Sequence, residues 1–257
     1  MMPHCCRSTA FLLATTVFCL AFISCTPSRA NARQTAIVKT TQGDIAIETF
    51  ERRAPQKRPA VIILSGSKGF RSAAYDDLAQ SLDKAGLAAY LVHAVSDADL
   101  TAIGHAKGAA GRIQYYTNHM AQWSAAVRDI LLFLKRQSPE DRKIGVLGIS
   151  LGAQIAITAT VNRQDANALV LVDGGFPAGY SQSVRAFPPL LVVWGSEDRV
   201  FPVSMAKTLS EQAKFLGTAT ELSIFDGGGH DFFLKPETPL AKQAHERAAL
   251  FLAERLR

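Results

Sequence analysis

Hydrophobic residues in this chain form short continuous runs, separated by longer segments in which apolar residues recur at helical spacing. An apolar run of four to eight residues bounded by turn residues is typical of a strand buried on both faces, as in a parallel sheet. Five strands are predicted in this way: Ala60–Leu64, Leu87–Val92, Ile144–Ile149, Ala168–Val172 and Leu190–Trp194. Glu221–Phe225 is predicted as the last strand.

The segments between these strands show the apolar stripe of amphipathic helices. The first carries Tyr75, Leu78, Ala79 and Leu82 and ends near Gly86, and the later helices are predicted over Asn118–Gln137, Leu151–Val161, Val203–Phe215 and Thr238–Leu256. Residues 93–117 lack the stripe and are predicted to form a long loop. Strands that alternate with helices indicate an α/β fold: a mostly parallel central sheet with helices on both faces and ligand sites at the carboxyl ends of the strands.

The N-terminal part of the chain has a different pattern. Apolar and polar residues alternate over Ala36–Thr40 and Asp44–Phe50, around Thr41-Gln42-Gly43, which predicts an antiparallel hairpin. Arg52–Pro59 is interpreted as a linker between this hairpin and the parallel sheet.

A leader is predicted before the hairpin. Arg7 precedes an uncharged apolar run, Ala10–Cys25, and Ala30-Asn31-Ala32 has the small-x-small form of a cleavage site. We therefore expect a signal peptide over residues 1–32, a domain over residues 33–257 and an exported protein. Two alternatives remain: an uncleaved membrane anchor, for which the run is short, and lipidation at Cys25, which would attach the protein to a membrane.

Cysteine usage narrows the possible chemistry. All four cysteines, Cys5, Cys6, Cys19 and Cys25, lie in the predicted leader. The remaining domain has no thiol to serve as nucleophile or zinc ligand, and it must be stabilised by its hydrophobic core rather than by disulfides.

The charge of the chain gives no indication of a nucleic-acid partner. Of the six net positive charges, Arg7 and Arg29 of the leader carry two, and most other basic residues alternate with acidic ones. The one cluster, Arg52, Arg53, Lys57 and Arg58, flanks Pro55 and is interpreted as part of a solvated connection.

The strongest chemical signal is the pentapeptide Gly148-Ile149-Ser150-Leu151-Gly152, which lies between a predicted strand and a predicted helix. A strand that passes directly into a helix forces Ser150 onto a sharp turn that exposes its hydroxyl, and the flanking glycines allow close backbone approach. The N-terminus of the helix would stabilise negative charge at the same place. Ser150 is therefore the candidate nucleophile.

Two further residues complete a catalytic pattern. Asp198 and His230 follow later strands, so the chain presents Ser, Asp and His in that order at one edge of the sheet. His230 can accept the serine proton, and Asp198 can orient the imidazole and stabilise its cation. Asp173, which also follows a strand, is the alternative acid. Asp226 and Asp231 are too near His230 in sequence to face its ring easily.

An oxyanion site is predicted in the loop Ser65–Phe70. This loop follows a strand but lacks the Walker spacing of a phosphate-binding loop. The backbone N–H of Ser67 or Lys68, together with that of Leu151, is expected to bind a developing oxyanion. A second cluster, His93, Asp97, Asp99 and His105, matches no metal-ligand spacing and is interpreted as loop residues that line the mouth of a pocket.

These motifs together resemble the α/β-hydrolases, and within them the dienelactone hydrolase family. The resemblance spans residues 33–257 and rests on Gly66-Ser67-Lys68-Gly69, the pentapeptide around Ser150, Gly195-Ser196-Glu197-Asp198, and Gly229-His230-Asp231-Phe232. In this chain Ser150 replaces the cysteine of the founding members, Ser65 replaces a histidine common in the oxyanion loop, and Lys68 replaces a glycine.

The resemblance implies a hydrolase of esters or related acyl compounds that uses no metal and no organic cofactor. The interval between Ser150 and Asp198 leaves no room for a large cap domain, so small to medium acyl groups are expected. Lys68, Arg71 and Arg199 are candidates for attracting a substrate carboxylate. The alternatives are a binding protein that keeps the fold without turnover, and a peptidase acting through the same three residues.

Overall fold

A computed structural model of the protein describes residues 1, 33–50, 58–137 and 142–257. The predicted signal peptide, with Cys25 and the Ala30-Asn31-Ala32 site, lies outside the described residues. The same holds for Arg52, Arg53 and Lys57 of the basic cluster. Arg58, the last member of that cluster, is described, and its guanidinium donates a hydrogen bond of 2.8 Å to Asp83 Oδ1.

The described chain forms one eight-stranded sheet with the strand order β1-β2-β4-β3-β5-β6-β7-β8. The strands are β1 (Gln34–Thr40), β2 (Gly43–Thr49), β3 (Ala60–Leu64), β4 (Ala88–Val92), β5 (Ile144–Ile149), β6 (Ala168–Val172), β7 (Leu190–Gly195) and β8 (Thr220–Phe225). β1 pairs antiparallel with β2 and β2 with β4, and the pairs from β4 onward are parallel. The mostly parallel sheet and the N-terminal antiparallel hairpin are thus confirmed.

Six helices cover the two faces of this sheet. They are α1 (Ala74–Lys84), α2 (Asp97–His105), α3 (Gly108–Arg136), α4 (Leu151–Thr160), α5 (Val203–Phe215) and α6 (Pro239–Arg255). Apolar residues of α3, α4 and α5 form a core on one face, and those of α1 and α6 form a core on the other. No large cap domain interrupts the described part of the chain after Ser150, as expected.

The central strands β3, β5, β6 and β7 carry no polar side chain because each is covered on both faces. All residues of β3, β5, β6 and β7 are buried. The hairpin instead alternates, with Ile45 and Ile47 buried between more exposed neighbours. Continuous and alternating patterns in the sequence therefore separate strands covered on both faces from strands covered on one.

The predicted loop over residues 93–117 is wrong, because this segment contains α2 and the first turns of α3. α2 begins with a capping box, in which the Ser96 hydroxyl accepts from the Asp99 N–H and the Asp99 carboxylate accepts from the Ser96 N–H. None of residues 108–117 is buried. These turns therefore have no apolar stripe from which a helix could be predicted.

Among the described residues, no helix is both long enough and apolar enough to cross a membrane.

Candidate active site

Ser150 is the whole connection between a strand and a helix, since β5 ends at Ile149 and α4 begins at Leu151. Its backbone has φ 54° and ψ −111°, in the left-handed half of conformational space that L-residues rarely occupy. Such strain persists only where the surroundings impose it. The turn lifts the Ser150 hydroxyl above the edge of the sheet.

Close backbone contacts explain why glycine flanks Ser150 on both sides. A Cβ added to Gly148 would lie 2.3 Å from the carbonyl oxygen of Gly152. A Cβ added to Gly152 would lie 2.3 Å from the carbonyl oxygen of Leu64, at the end of β3. The two glycines therefore let the start of α4 pack directly on two strand ends, which holds Ser150 in its turn.

Ser150, His230 and Asp198 form one chain of hydrogen bonds. Ser150 Oγ lies 2.9 Å from His230 Nε2, and His230 Nδ1 lies 2.8 Å from Asp198 Oδ2. The Asp198 carboxylate can only accept, so Nδ1 carries the proton in this arrangement and Nε2 is left to accept from the hydroxyl. The imidazole thus has the tautomer that a general base for Ser150 requires.

Asp198 is held in place by the turn that follows it. Its Oδ1 accepts hydrogen bonds from the backbone N–H of Val200 (2.7 Å) and of Phe201 (2.9 Å), and its side chain has no exposed surface. The Phe201 ring also packs edge-on against the His230 ring, with 5.5 Å between centroids. Both Asp198 and His230, the candidate acid and base, are therefore held in place by neighbouring residues.

The loops that carry the acid and the base contact each other directly. The Glu197 N–H donates to the carbonyl oxygen of Gly228 at 2.8 Å, which joins the turn after β7 to the turn after β8. A Cβ added to Gly195 would lie 2.2 Å from the same oxygen. This close approach brings His230 back over the sheet toward Ser150.

The predicted oxyanion loop lies beside Ser150. The Gly69 N–H donates to the Gly66 carbonyl at 3.1 Å, and a Cβ added to Gly66 would lie 3.7 Å from Ser150 Cβ. Within the described residues, the backbone N–H groups of Ser67, Lys68 and Leu151 donate no hydrogen bond. They are therefore unoccupied donors next to the serine, as an oxyanion site requires.

Tyr75 supports this loop and was not singled out as a functional residue in the sequence. Its hydroxyl accepts from the Gly66 N–H at 3.4 Å, and its ring is buried on α1. Burial raises the pKa of the Tyr75 phenol, so the hydroxyl remains protonated. The only signal in the sequence is that one residue of the apolar stripe of α1 has a polar tip.

Asp173, the alternative acid, is also at the site but does not bond to His230. Its Oδ1 accepts from the Gly195 N–H at 3.0 Å, and its side chain is fully buried. One ligand atom each of Asp173, Asp198 and His230 lie within 4.8 Å of one another. Such a group could surround a cation, but the hydrogen bond between His230 and Asp198 already explains why these two residues are close.

Burial raises the pKa of the Asp173 carboxyl to about 8, with smaller contributions from the charges of Asp198 and Asp231.

The basic residues proposed to attract a carboxylate are on the surface. Lys68 is 81% exposed, and its ammonium lies 3.5 Å from Asp231 Oδ2, beside His230. Arg71 and Arg199 are also exposed. Neither of these arginines contacts the three residues of the hydrogen-bonded chain.

The four polar residues of the segment after β4 do not form one site. His93 Nε2 lies 2.6 Å from Glu48 Oε1, and His105 Nδ1 lies 2.8 Å from the carbonyl of Thr101. Asp99 accepts from the Tyr115 hydroxyl and the Trp123 indole, which fastens α2 to α3, and Asp97 begins α2. The adjacent Leu100 packs on Gly69, so α2 borders the oxyanion loop.

A cavity of about 250 Å³ lies between α5, β7 and the loop after β6. Its lining is mostly apolar and comprises Gly175, Phe176, Trp194, Ser204, Met205, Thr208, Leu209 and Gln212. The Trp194 indole N–H donates to the carbonyl of Phe201, whose ring contacts His230. The wall of the cavity is therefore connected to His230, the candidate base, through one residue.

Comparisons with known proteins identify the family and the fold of the chain. A model of the dienelactone hydrolase family matches residues 47–255. No curated protein matches the chain. A dienelactone hydrolase structure from Anabaena variabilis is 18% identical, with 88% of this chain and 99% of that chain covered at a TM-score of 0.66.

Two esterase structures are similar in the same way. An esterase from Pyrococcus furiosus is 17% identical, with 89% of this chain and 94% of that one covered at a TM-score of 0.65. A thermophilic esterase from Thermogutta terrifontis, solved with propionate bound, is 19% identical, with 89% and 96% covered at a TM-score of 0.57. At these identities the likeness shows the shared α/β-hydrolase fold.

Proposed function

Because the chain belongs to the dienelactone hydrolase family, we propose that it is an exported serine hydrolase that cleaves carboxylic esters or related acyl compounds of small to medium size. One observation supports this most: the hydrogen bonds of 2.9 Å from Ser150 to His230 and of 2.8 Å from His230 to Asp198. A hydroxyl hardly ionises at neutral pH, so a serine nucleophile needs a base in contact with it.

The first half of the reaction acylates Ser150. His230 Nε2 takes the hydroxyl proton as Oγ attacks the ester carbonyl, and Asp198 stabilises the imidazolium that forms. The tetrahedral oxyanion is bound by the N–H of Leu151 and by that of Ser67 or Lys68. Loss of one such donor typically costs about 3 kcal/mol of barrier. The imidazolium then donates its proton to the departing alcohol.

The second half releases the acid. Water takes the place of the alcohol, His230 removes its proton, and the hydroxide attacks the acyl carbon of the ester on Ser150. The second tetrahedral intermediate is bound by the same N–H donors. Its collapse returns a proton to Ser150 Oγ and regenerates the resting enzyme.

The experiment that tests this function measures turnover of short p-nitrophenyl esters and labelling by a fluorophosphonate. Ser150→Ala should lower kcat by at least about 10⁴-fold and abolish labelling, with the thermal unfolding midpoint little changed. Ser181→Ala, at an exposed serine, is the matched control and should behave as wild type. An unlabelled wild-type protein without esterase activity would instead indicate a binding protein on this fold.

Three exposed basic residues support a preference for esters that carry a second carboxylate. The Lys68 ammonium lies 3.5 Å from Asp231, next to His230, while Arg199 follows Asp198 in the chain and Arg71 follows the loop Ser65–Phe70. Replacing each with Glu should lower kcat/KM for an anionic ester relative to its neutral methyl ester. An unchanged ratio in all three variants would refute this preference.

The export part of the proposal rests on the apolar run and on Ala30-Asn31-Ala32. Expression of the full chain in a Gram-negative host, followed by fractionation and N-terminal sequencing, tests it. We expect a periplasmic protein that begins at Arg33. A membrane-bound product that becomes soluble in Cys25→Ser would show lipidation instead.

A further inference from the structure

Asp173 is a buried carboxyl next to the catalytic base, and neither acylation nor deacylation as described above uses it. It follows β6 directly, with its backbone at φ 44°, and none of its surface is exposed. Oδ1 accepts the Gly195 N–H, whereas Oδ2 has no hydrogen-bond partner among the described residues. A buried polar atom without a partner destabilises the folded state and therefore requires an explanation.

The position of Asp173 suggests an explanation for its unpartnered oxygen. A carboxyl oxygen of Asp173, one of Asp198 and a ring nitrogen of His230 all lie within 4.8 Å of one another. The next residue, Gly174, backs onto Ser150, since a Cβ there would lie 2.6 Å from the Ser150 carbonyl oxygen. One histidine thus faces two carboxyls, one at the end of β6 and one beyond the end of β7.

Two carboxyls this close, both buried, do not readily ionise together. Asp198 has the better claim to the negative charge because it accepts from Val200, Phe201 and His230, whereas Asp173 accepts from Gly195 alone. Burial, reinforced by the charges of Asp198 and Asp231, raises the pKa of Asp173 to about 8. At neutral pH Asp173 therefore holds its proton, and Asp198 is the carboxyl that is hydrogen-bonded to His230.

Asp173 can take over the negative charge and the hydrogen bond to His230 if Asp198 is removed. Removal of the Asp198 carboxylate removes one of the charges that raise the pKa of Asp173, while burial remains the larger cause. It also leaves the Nδ1–H of His230 without its acceptor. One oxygen of the Asp173 carboxyl lies within 4.8 Å of a ring nitrogen of His230, about 2 Å beyond hydrogen-bonding distance. A small side-chain movement can join the two.

We propose that Asp173 is a second acid of this site, a positioning residue that shares with Asp198 the orientation of His230 and provides the negative charge when Asp198 is absent. This inference rests on the proposed serine hydrolase function. It gives the enzyme two carboxyls for one base, of which only one is bonded to His230 in the structure.

A double-mutant cycle measured by ester hydrolysis tests the proposed role of Asp173. Asp173→Asn keeps an acceptor for the Gly195 N–H and should lower kcat about 3–10-fold, while Asp198→Ala should lower it about 10²-fold. The double variant should fall about 10⁴-fold, the typical loss when the acid of such a triad is removed. If Asp173→Asn costs the same factor in both backgrounds, or if Asp198→Ala alone costs the full 10⁴, the inference is overturned.

Controls separate this role from a structural one. Asp44→Asn, at an exposed carboxylate on the hairpin, should have no effect in either background. The hydrogen-bonded Nδ1 proton of His230, read from its downfield NMR signal, should persist in Asp198→Ala and disappear in the double variant. Its loss in Asp198→Ala would also overturn the inference. If Asp198→Ala does not fold, the same comparison is made in Asp198→Asn.

Failure of this inference is distinguishable from failure of the function. The proposed function is supported and the role of Asp173 as a second acid is refuted by one combination of results. In that case the wild-type enzyme is labelled by fluorophosphonate and inactivated by Ser150→Ala, but its two aspartates act independently. A wild-type protein that is neither labelled nor active refutes both the proposed function and the role of Asp173.

Discussion

The α-carbon of Gly152 lies against the carbonyl group of Leu64, close enough that a methyl group on Gly152 would stand 2.3 Å from the carbonyl oxygen. This contact joins the first turn of α4 to the end of β3. The loop that begins after Leu64 carries the proposed oxyanion donors, and the turn before Gly152 carries Ser150. This backbone contact therefore helps to hold the candidate nucleophile next to the proposed oxyanion donors.

The first prediction follows from this contact. Gly152→Ala must push the helix away from the strand end, because backbone atoms on both sides cannot yield as a flexible side chain can. We expect a loss of about 1–3 kcal/mol in the free energy of unfolding. Displacement of the serine from the oxyanion donors should lower kcat/KM on the order of 10²-fold. Denaturant unfolding and ester hydrolysis measure the two effects.

Gly104→Ala is the control for this prediction. Gly104 lies in α2, and a Cβ there would meet nothing within 4 Å. Alanine in an exposed helix is favoured over glycine by roughly 0.5–1 kcal/mol. This variant should be as stable as wild type or more stable, with unchanged activity. Similar losses in the two variants would contradict the importance of the contact at Gly152.

A second prediction concerns Tyr75, whose hydroxyl accepts the Gly66 N–H inside the core. Tyr75→Phe removes the acceptor and leaves that N–H without a partner beside the oxyanion loop. One buried hydrogen bond contributes about 1 kcal/mol, so we expect kcat to fall about fivefold while KM changes little. Steady-state kinetics on one short ester measures this. An equal change in KM would show that the loop instead contributes to ground-state binding.

The fold was predictable because strands covered on both faces and strands covered on one face have different hydrophobic patterns. The sequences of β3, β5, β6 and β7 carry no polar side chain. Such a continuous run is typical of a strand that is covered on both faces. The segment before Met120 was not predictable as helix by the same reasoning. α2 begins with the Ser96 capping box, and the early turns of α3 contain no fully buried residue, only the partly buried Tyr115 and Tyr116. Neither segment shows a continuous apolar stripe.

The candidate site was predictable from order and spacing, up to the choice of acid. Asp173 and Asp198 both follow a strand, and the sequence favours Asp198 only through the resemblance of Gly195-Ser196-Glu197-Asp198 to a family motif. The structure separates them through the turn Val200-Phe201, which supplies Asp198 with two N–H donors, while Asp173 has the single donor Gly195. The cavity beside α5 was beyond prediction because its walls come from three separate segments.

That cavity gives a third prediction. If it receives the apolar part of an ester, filling it should shift substrate preference toward short chains. Met205→Trp introduces a larger ring at a lining residue on α5. We expect the ratio of kcat/KM for the p-nitrophenyl ester of octanoate to that of acetate to fall at least tenfold, the scale of a few buried methylene groups. Lys207→Trp, which is exposed and does not line the cavity, should leave the ratio unchanged.

The last prediction concerns His245, a buried histidine of α6 that is 1% exposed. Its Nε2 donates to the carbonyl of Phe233 at 2.9 Å, and its ring packs edge-on against the Phe233 ring. Burial lowers the pKa of His245 from its ordinary value of 6.5, despite opposing contributions from the Phe233 carbonyl and Asp77. The imidazole is therefore neutral in the folded protein when an exposed histidine would already be charged.

A lowered pKa in the folded state means that the unfolded chain binds a proton first as the pH falls. His245 therefore contributes stability above about pH 6.5 that is lost progressively below it. His245→Gln keeps a side-chain N–H for the Phe233 carbonyl but cannot take up a proton. The variant should lose less of its unfolding free energy than wild type between pH 7 and pH 5, measured by urea denaturation. His105→Gln, at an exposed position on α2, should follow the wild-type dependence. If the buried and the exposed variants show the same slope, burial of His245 has no part in the acid sensitivity of the fold.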